Sequence, residues 1–335
     1  MLRVLRAAAR AISRRSRLGA TAALILLNLS MRTSALPPDS GPDSGPDSRI
    51  DWAAPAGMNY GHAEFRLWQP NAARPVRAVV VLVPGSDEDG RALVEDPHWQ
   101  AFAVSHDMAL VGCYFSDKPH PQMFIEAYAN AAHGSGQALV DALAAFGAQA
   151  GRPELAAAPL LLWGMSAGGQ FNYEFVAWKP ERVAGFIVNK GGFYYSALLS
   201  PEARQVPGLF FTGGKDLEGR QEAVRGLFAI NRRGGALWAL IEEPTAAHVL
   251  GRSREITETY FNELVPLRLD PLSPPAASEL LPLIEETGFI GDPKSLTVQR
   301  AGARENGDAR TTSWLPTQRA ARLWEAASKD QQLPQ

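Results

Sequence analysis

From residue 78 onward, short unbroken apolar runs alternate with longer segments of helical periodicity. The runs are Ala78–Val83, Met108–Phe115, Leu160–Trp163, Val183–Val188, Gly208–Thr212 and Ala236–Ile241. A strand covered on both faces reads as such a run, whereas a half-exposed strand alternates. Ala63–Trp68 (Ala-Glu-Phe-Arg-Leu-Trp) does alternate and predicts an edge strand. Helices are predicted over roughly 97–106, 122–149, 167–178, 217–232 and 252–264, the alanine-rich 138–150 being a strong helix former. Strand and helix in alternation predict an α/β protein with a mostly parallel sheet. Ligands of such sheets bind beyond the C-terminal strand ends.

Gly164-Met165-Ser166-Ala167-Gly168 directly follows the run at Leu160–Trp163. A serine between glycines at the junction of a buried strand and a helix is the sequence form of a nucleophile elbow. The chain turns sharply there, and the glycines let strand and helix approach closely. Phe171, Phe175 and Trp178 keep helical spacing after the turn, and Lys179-Pro180 ends the helix. An ordinary strand–helix turn that needs small residues is the plainer alternative.

A serine hydroxyl needs a base, and the base needs a group to orient it. His248 is the one histidine after Ser166, in the loop after the last apolar run. Asp216 follows the run ending at Thr212, through Gly213-Gly214-Lys215. A helix cap is its competing role, and Glu242 and Glu243 are fallback acids. The order Ser, Asp, His is that of the α/β-hydrolase triad. A developing oxyanion needs two converging N–H donors. One is expected from Ala167 at the helix start, and the other from Ser86 in the Pro84-Gly85-Ser86-Asp87 turn. His133-Gly134 is set aside because it falls inside a predicted helix. Tyr114, Phe115, Met165, Phe193 and Tyr194 are candidates for the substrate pocket, with core packing as the alternative for the aromatics.

Through Pro84-Gly85-Ser86, Gly164–Gly168, Gly213–Asp216 and His248, residues 77–265 resemble the α/β-hydrolase superfamily. Within it the chain is most similar to secreted esterases of the polyhydroxybutyrate-depolymerase, feruloyl-esterase and dienelactone-hydrolase types. Pro84 stands where many members carry the histidine of a His-Gly oxyanion turn. The resemblance implies an α/β-hydrolase fold with helices on both faces of the sheet. It also implies ester hydrolysis through an acyl-serine intermediate, with neither metal nor organic cofactor. About 15 residues join the strand after the elbow to the next, too few for a cap domain. An open site for a bulky or polymeric ester is therefore expected. A serine peptidase of the same fold and a catalytically dead, binding-only hydrolase scaffold are the alternatives.

The N-terminus changes the charge. Residues 1–35 hold seven arginines, no acidic residue, an apolar stretch from Leu18 to Leu29 and the small residues Thr33-Ser34-Ala35. This pattern predicts a secretory signal peptide. Ser13-Arg14-Arg15 suggests twin-arginine export, although Arg17 sits where such signals carry an apolar residue. A membrane anchor and an organellar transit peptide compete with it. Without those arginines the chain keeps 26 basic against 35 acidic side chains, a net charge of −9. So acidic a protein has no electrostatic reason to bind nucleic acid or anionic membranes, and stable membrane insertion of the mature chain is not expected. Residues 36–49, with their Gly-Pro-Asp-Ser repeat, have almost nothing apolar to bury and predict a flexible spacer. Cys113, the sole cysteine, excludes an internal disulfide and reads as a small buried hydrophobe. The hydrolase domain is expected over 50–268. Beyond it, 269–335 is expected to pack on the core, with a linker at Leu272–Pro275 and helices over 278–287 and 317–328.

Overall fold

The computed structural model describes residues 48–70, 74–121, 125–271, 280–302 and 311–334. The expected signal peptide, the Gly-Pro-Asp-Ser repeat before residue 48 and the Leu272–Pro275 linker lie outside the described residues. In chain order the main elements are β1 (Ser48–Ala53), β2 (His62–Gln69), β3 (Ala78–Val83), α1 (Pro97–Ser105), β4 (Met108–Ser116), α2 (Ser135–Ala150), β5 (Leu160–Gly164), α3 (Ala167–Trp178) and β6 (Val183–Asn189). Then follow α4 (Pro201–Arg204), β7 (Gly208–Gly213), α5 (Glu218–Arg233), β8 (Trp238–Glu243), α6 (Ser253–Arg268), β9 (Phe289–Asp292), β10 (Thr297–Arg300), β11 (Ser313–Leu315) and α7 (Gln318–Ser328).

β1 to β8 form one sheet in the order β1-β2-β4-β3-β5-β6-β7-β8. β2 runs antiparallel to both β1 and β4, and the strands from β4 to β8 are parallel neighbours. This is the strand order of the α/β-hydrolase fold. Every residue of β3, β5, β6 and β7 is buried, as their unbroken apolar composition requires. Side chains of β3 alternate between two cores. Val79, Val81 and Val83 belong to the core that α2, α3 and α5 cover on one face, while Val80 and Leu82 belong to the core that α1, α6 and α7 cover on the other. Between β6 and β7 lie only a loop and the single turn α4, so no cap domain is inserted there. Cys113 is buried and free. Among the described residues no helix is long and apolar enough to cross a membrane.

Three expectations are corrected. β2 is not the sheet edge, because β1 pairs outside it with Asp51 opposite Arg66. Two polar positions of β2 are paired at the surface: Arg66 Nε meets Asp51 at 2.7 Å, and Arg91 Nη1 meets Glu64 at 2.5 Å. The predicted helix over 122–149 starts only at Ser135, since Gly134 takes a φ of 135° and interrupts it. His133-Gly134 thus lies at a helix boundary, after a short 3-10 turn. Over 280–287 there is one 3-10 turn, Glu285–Thr287, and no α-helix. Nearby, β9, β10 and β11 form a small antiparallel sheet. Trp324 Nε1 donates to the Leu240 carbonyl at 2.7 Å, and Ser313 Oγ accepts from Leu240 N at 2.9 Å, fastening this segment along β8.

Candidate active site

The turn from β5 into α3 is set by two backbone contacts. A Cβ on Gly164 would lie 2.4 Å from the Gly168 carbonyl, and one on Gly168 would lie 2.1 Å from the Val83 carbonyl oxygen. Neither position accepts a larger residue. Between them Ser166 takes φ 52° and ψ −119°, a conformation that costs a non-glycine residue about 1–3 kcal/mol. The surroundings hold it there. Ser166 N donates to the Asn189 carbonyl at 2.8 Å, and Met165 N to the Val83 carbonyl at 3.2 Å. The serine is therefore seated between the ends of β3 and β6.

Ser166 Oγ lies 3.0 Å from His248 Nε2, and His248 Nδ1 lies 2.7 Å from Asp216 Oδ2. The loop after β7 supplies Asp216 and the loop after β8 supplies His248. The second carboxylate oxygen of Asp216 accepts from Leu217 N at 2.7 Å and from Arg220 Nη1 at 3.2 Å. Burial pushes this carboxyl up, but the hydrogen bonds from His248, Leu217 N and Arg220 outweigh it and hold it below its ordinary value. Asp216 is not the cap of α5, whose N-cap is Leu217 with no side-chain cap; one of its oxygens is held by Leu217 N and Arg220 and the other by His248. Of the fallback acids, Glu242 pairs with Arg225 on the surface, and Glu243 is turned inward to Lys190.

Ala167 is the first residue of α3, so its N–H has no intrahelical acceptor. Ser86 lies in the turn after β3, held by Glu88, whose carboxylate accepts from Gly85 N at 3.0 Å. A cavity of about 550 Å³ opens over Ser166 and His248, and Gly85, Ser86, Met165 and Phe193 line it. Sequence reasoning missed five further lining side chains: Asp87, Glu88, Glu126, Gln170 and Arg220. Gln170 was open to discovery, being one helical turn beyond Ser166 on the same face. Glu126 lies in the segment read as part of the 122–149 helix; it stands instead just before the 3-10 turn Ala127–Ala129, where no helical reading places it over Ser166.

Three pocket candidates do not line the cavity over Ser166. Phe115 is core, with Tyr128 at 5.3 Å and Phe171 at 5.0 Å between ring centres. Tyr114, its neighbour on β4, points to the opposite face, where His62 stacks on it and the Arg91 guanidinium lies 5.8 Å from its ring centre. Tyr194 packs edge-on against Tyr173 at 5.1 Å and lines a neighbouring cavity, and burial pushes its phenol up.

No family model and no curated protein matches the chain. Among solved structures it is similar to FphF, a fluorophosphonate-binding serine hydrolase of Staphylococcus aureus (12% identity, TM-score 0.44, 66% of this chain and 99% of that one). It is also similar to a thermostable esterase (16%, TM-score 0.44, 59% and 54%) and to the S-formylglutathione hydrolase FrmB of Staphylococcus aureus (12%, TM-score 0.42, 65% and 97%). Its own strand order, with Ser166 at the turn from β5 into α3, gives this chain the α/β-hydrolase fold.

Proposed function

We propose that this protein is a secreted serine hydrolase that cleaves carboxylic esters through an acyl-serine intermediate. The observation that carries the reading is the unbroken hydrogen-bond chain Asp216–His248–Ser166. His248 Nε2 takes the Ser166 proton as Oγ attacks the ester carbonyl carbon. The carbonyl oxygen becomes an oxyanion and accepts hydrogen bonds from the N–H groups of Ala167 and Ser86. Each such donor is worth about 10²–10³ in rate. The tetrahedral species collapses, the ester C–O bond breaks, and His248 returns its proton to the leaving alkoxide. Water then attacks the acyl-serine with His248 again as base, which frees the acid and restores Ser166. Asp216 holds the imidazole tautomer and stabilises the imidazolium. The arginine-rich, apolar N-terminal segment supports export.

A fluorophosphonate probe tests this on the purified protein beside Ser166→Ala. Labelling of the wild type alone, followed by hydrolysis of p-nitrophenyl acetate, is the expected result. A folded wild type that takes up no label overturns the reading. Labelling with cleavage of peptides but not esters redirects it to a peptidase.

A further inference from the structure

A second cavity, of about 830 Å³, adjoins the one over Ser166. Phe193 and Arg220 line both, so the two are neighbours. The loop after β6 forms one wall, and α5 with the residue before it, Leu217, forms the other. Arg220 is the single charged group among the described lining residues, and its guanidinium is turned to Asp216. Phe193 is 46% exposed, Leu217 66% and Ile230 44%. Large apolar side chains left in water around one cavity mark a binding site rather than packing.

The loop wall is built rigidly. Gln170 Oε1 accepts from Gly192 N and Phe193 N at 3.0 and 3.2 Å. Glu174 Oε1 accepts from Tyr195 N and Ser196 N at 2.7 and 2.9 Å. Asn231 accepts from Leu199 N and donates to the Ala197 carbonyl. The cavity is therefore preformed, which lowers the ordering cost of whatever enters it. The α5 wall has room as well: Gly226 is exposed on it, and a Cβ there meets nothing within 4 Å.

We infer that this cavity takes an aliphatic chain of the ester substrate, while the polar arm faces Asp87, Glu88 and Glu126 over Ser166. The inference rests on the hydrolase reading above and names its substrate class. An apolar lining with no free charge disfavours an ionic arm, and its place beside the Ser166 cavity, across Phe193 and Arg220, puts it within reach of one arm of a substrate held at Ser166.

The test is kcat/KM of the purified protein over two ester series from two to ten carbons. One is p-nitrophenyl acyl esters, and the other is acetates of straight-chain alcohols. A rise of about two- to fourfold per methylene is expected in one series, the worth of burying each CH2. The series that rises tells whether the acyl or the alcohol side lies in the cavity. Gly226→Phe sets a bulky ring on the α5 wall, and Ile230→Ser removes an apolar side chain from the same wall at an exposed helix position. Both are expected to lower the octyl-to-ethyl (or octanoate-to-acetate) ratio, Gly226→Phe by at least tenfold. No chain-length dependence in either series, with p-nitrophenyl acetate still hydrolysed, overturns the subsite and leaves the hydrolase reading standing. So does an unchanged ratio in a Gly226→Phe protein that still takes the fluorophosphonate label. Failure of the wild type to label overturns the hydrolase reading itself.

Discussion

Lys190 and Glu243 form a buried ion pair beneath the loop that carries His248. The Lys190 side chain is fully buried and donates to both Glu243 Oε2 and Asn189 Oδ1. Glu243 Oε1 accepts from Arg252 N at 2.9 Å, beyond His248 in the same loop. Asn189 completes the brace: its carbonyl holds Ser166 N, and its amide donates to Ser253 Oγ at 2.7 Å. One polar cluster thus anchors the candidate nucleophile and both ends of the loop bearing its base.

Breaking this pair from one side strands a buried charge, which costs about 3–5 kcal/mol. Lys190→Met is expected to destabilise by that amount in urea titration and to lower kcat more than it raises KM. The double variant Lys190→Met/Glu243→Leu leaves no stranded charge and is expected to regain at least half of the lost stability. A single variant as stable as the wild type refutes the brace.

Glycine substitutions separate enforced positions from permissive ones. Gly168→Ala drives a methyl into the Val83 and Pro84 carbonyls and is expected to cost about 3 kcal/mol or more. Gly226→Ala meets nothing within 4 Å inside α5 and is expected to raise stability by about 0.5–1 kcal/mol. Thermal unfolding of the two variants beside the wild type measures both.

Asp216→Asn is expected to lower kcat by about 10³–10⁴-fold, because an amide no longer holds the required imidazole tautomer. It also carries a pH signature. The carboxyl of Asp216 lies below its ordinary value in the folded protein. Its contribution to stability is therefore complete above about pH 4 and is lost as pH falls through the depressed folded value. The stability gap between wild type and Asp216→Asn is expected to close over that acid range. A gap still constant at pH 2 contradicts the assignment.

Glu174 behaves oppositely. Burial, opposed by hydrogen bonds from Ser196 and Tyr195, raises its carboxyl above the ordinary value. The charged form therefore weighs against folding at neutral pH, and that cost disappears as pH falls below the unfolded value. Glu174→Gln keeps an acceptor for the two N–H groups and is expected to be at least as stable as the wild type at pH 7. Glu174→Ala leaves those donors without their acceptor and is expected to lose about 1–3 kcal/mol. Urea titrations at pH 4 and pH 7 distinguish the two variants.

Burial on both faces selects unbroken apolar runs, so β3, β5, β6 and β7 are legible in the sequence. The Gly164–Gly168 motif is equally legible, because backbone contact there admits only glycine. The spacing after Ser166 also puts α3 at Ala167–Trp178 as expected. What the sequence hides is what distant segments decide together. β1 is short and carries charges at Arg49 and Asp51, and only its partner β2 makes it a strand. Tyr114 and Phe115 are adjacent in sequence, yet the pleat sends them to opposite faces, so neighbouring aromatics do not share one pocket. Nothing local to Lys190 shows that the ends of β6 and β8 bring Glu243 against it. Local composition determines which segments become strands and where the chain turns; only tertiary packing decides which side chains a strand end, a helix and a loop from distant parts of the chain place in contact.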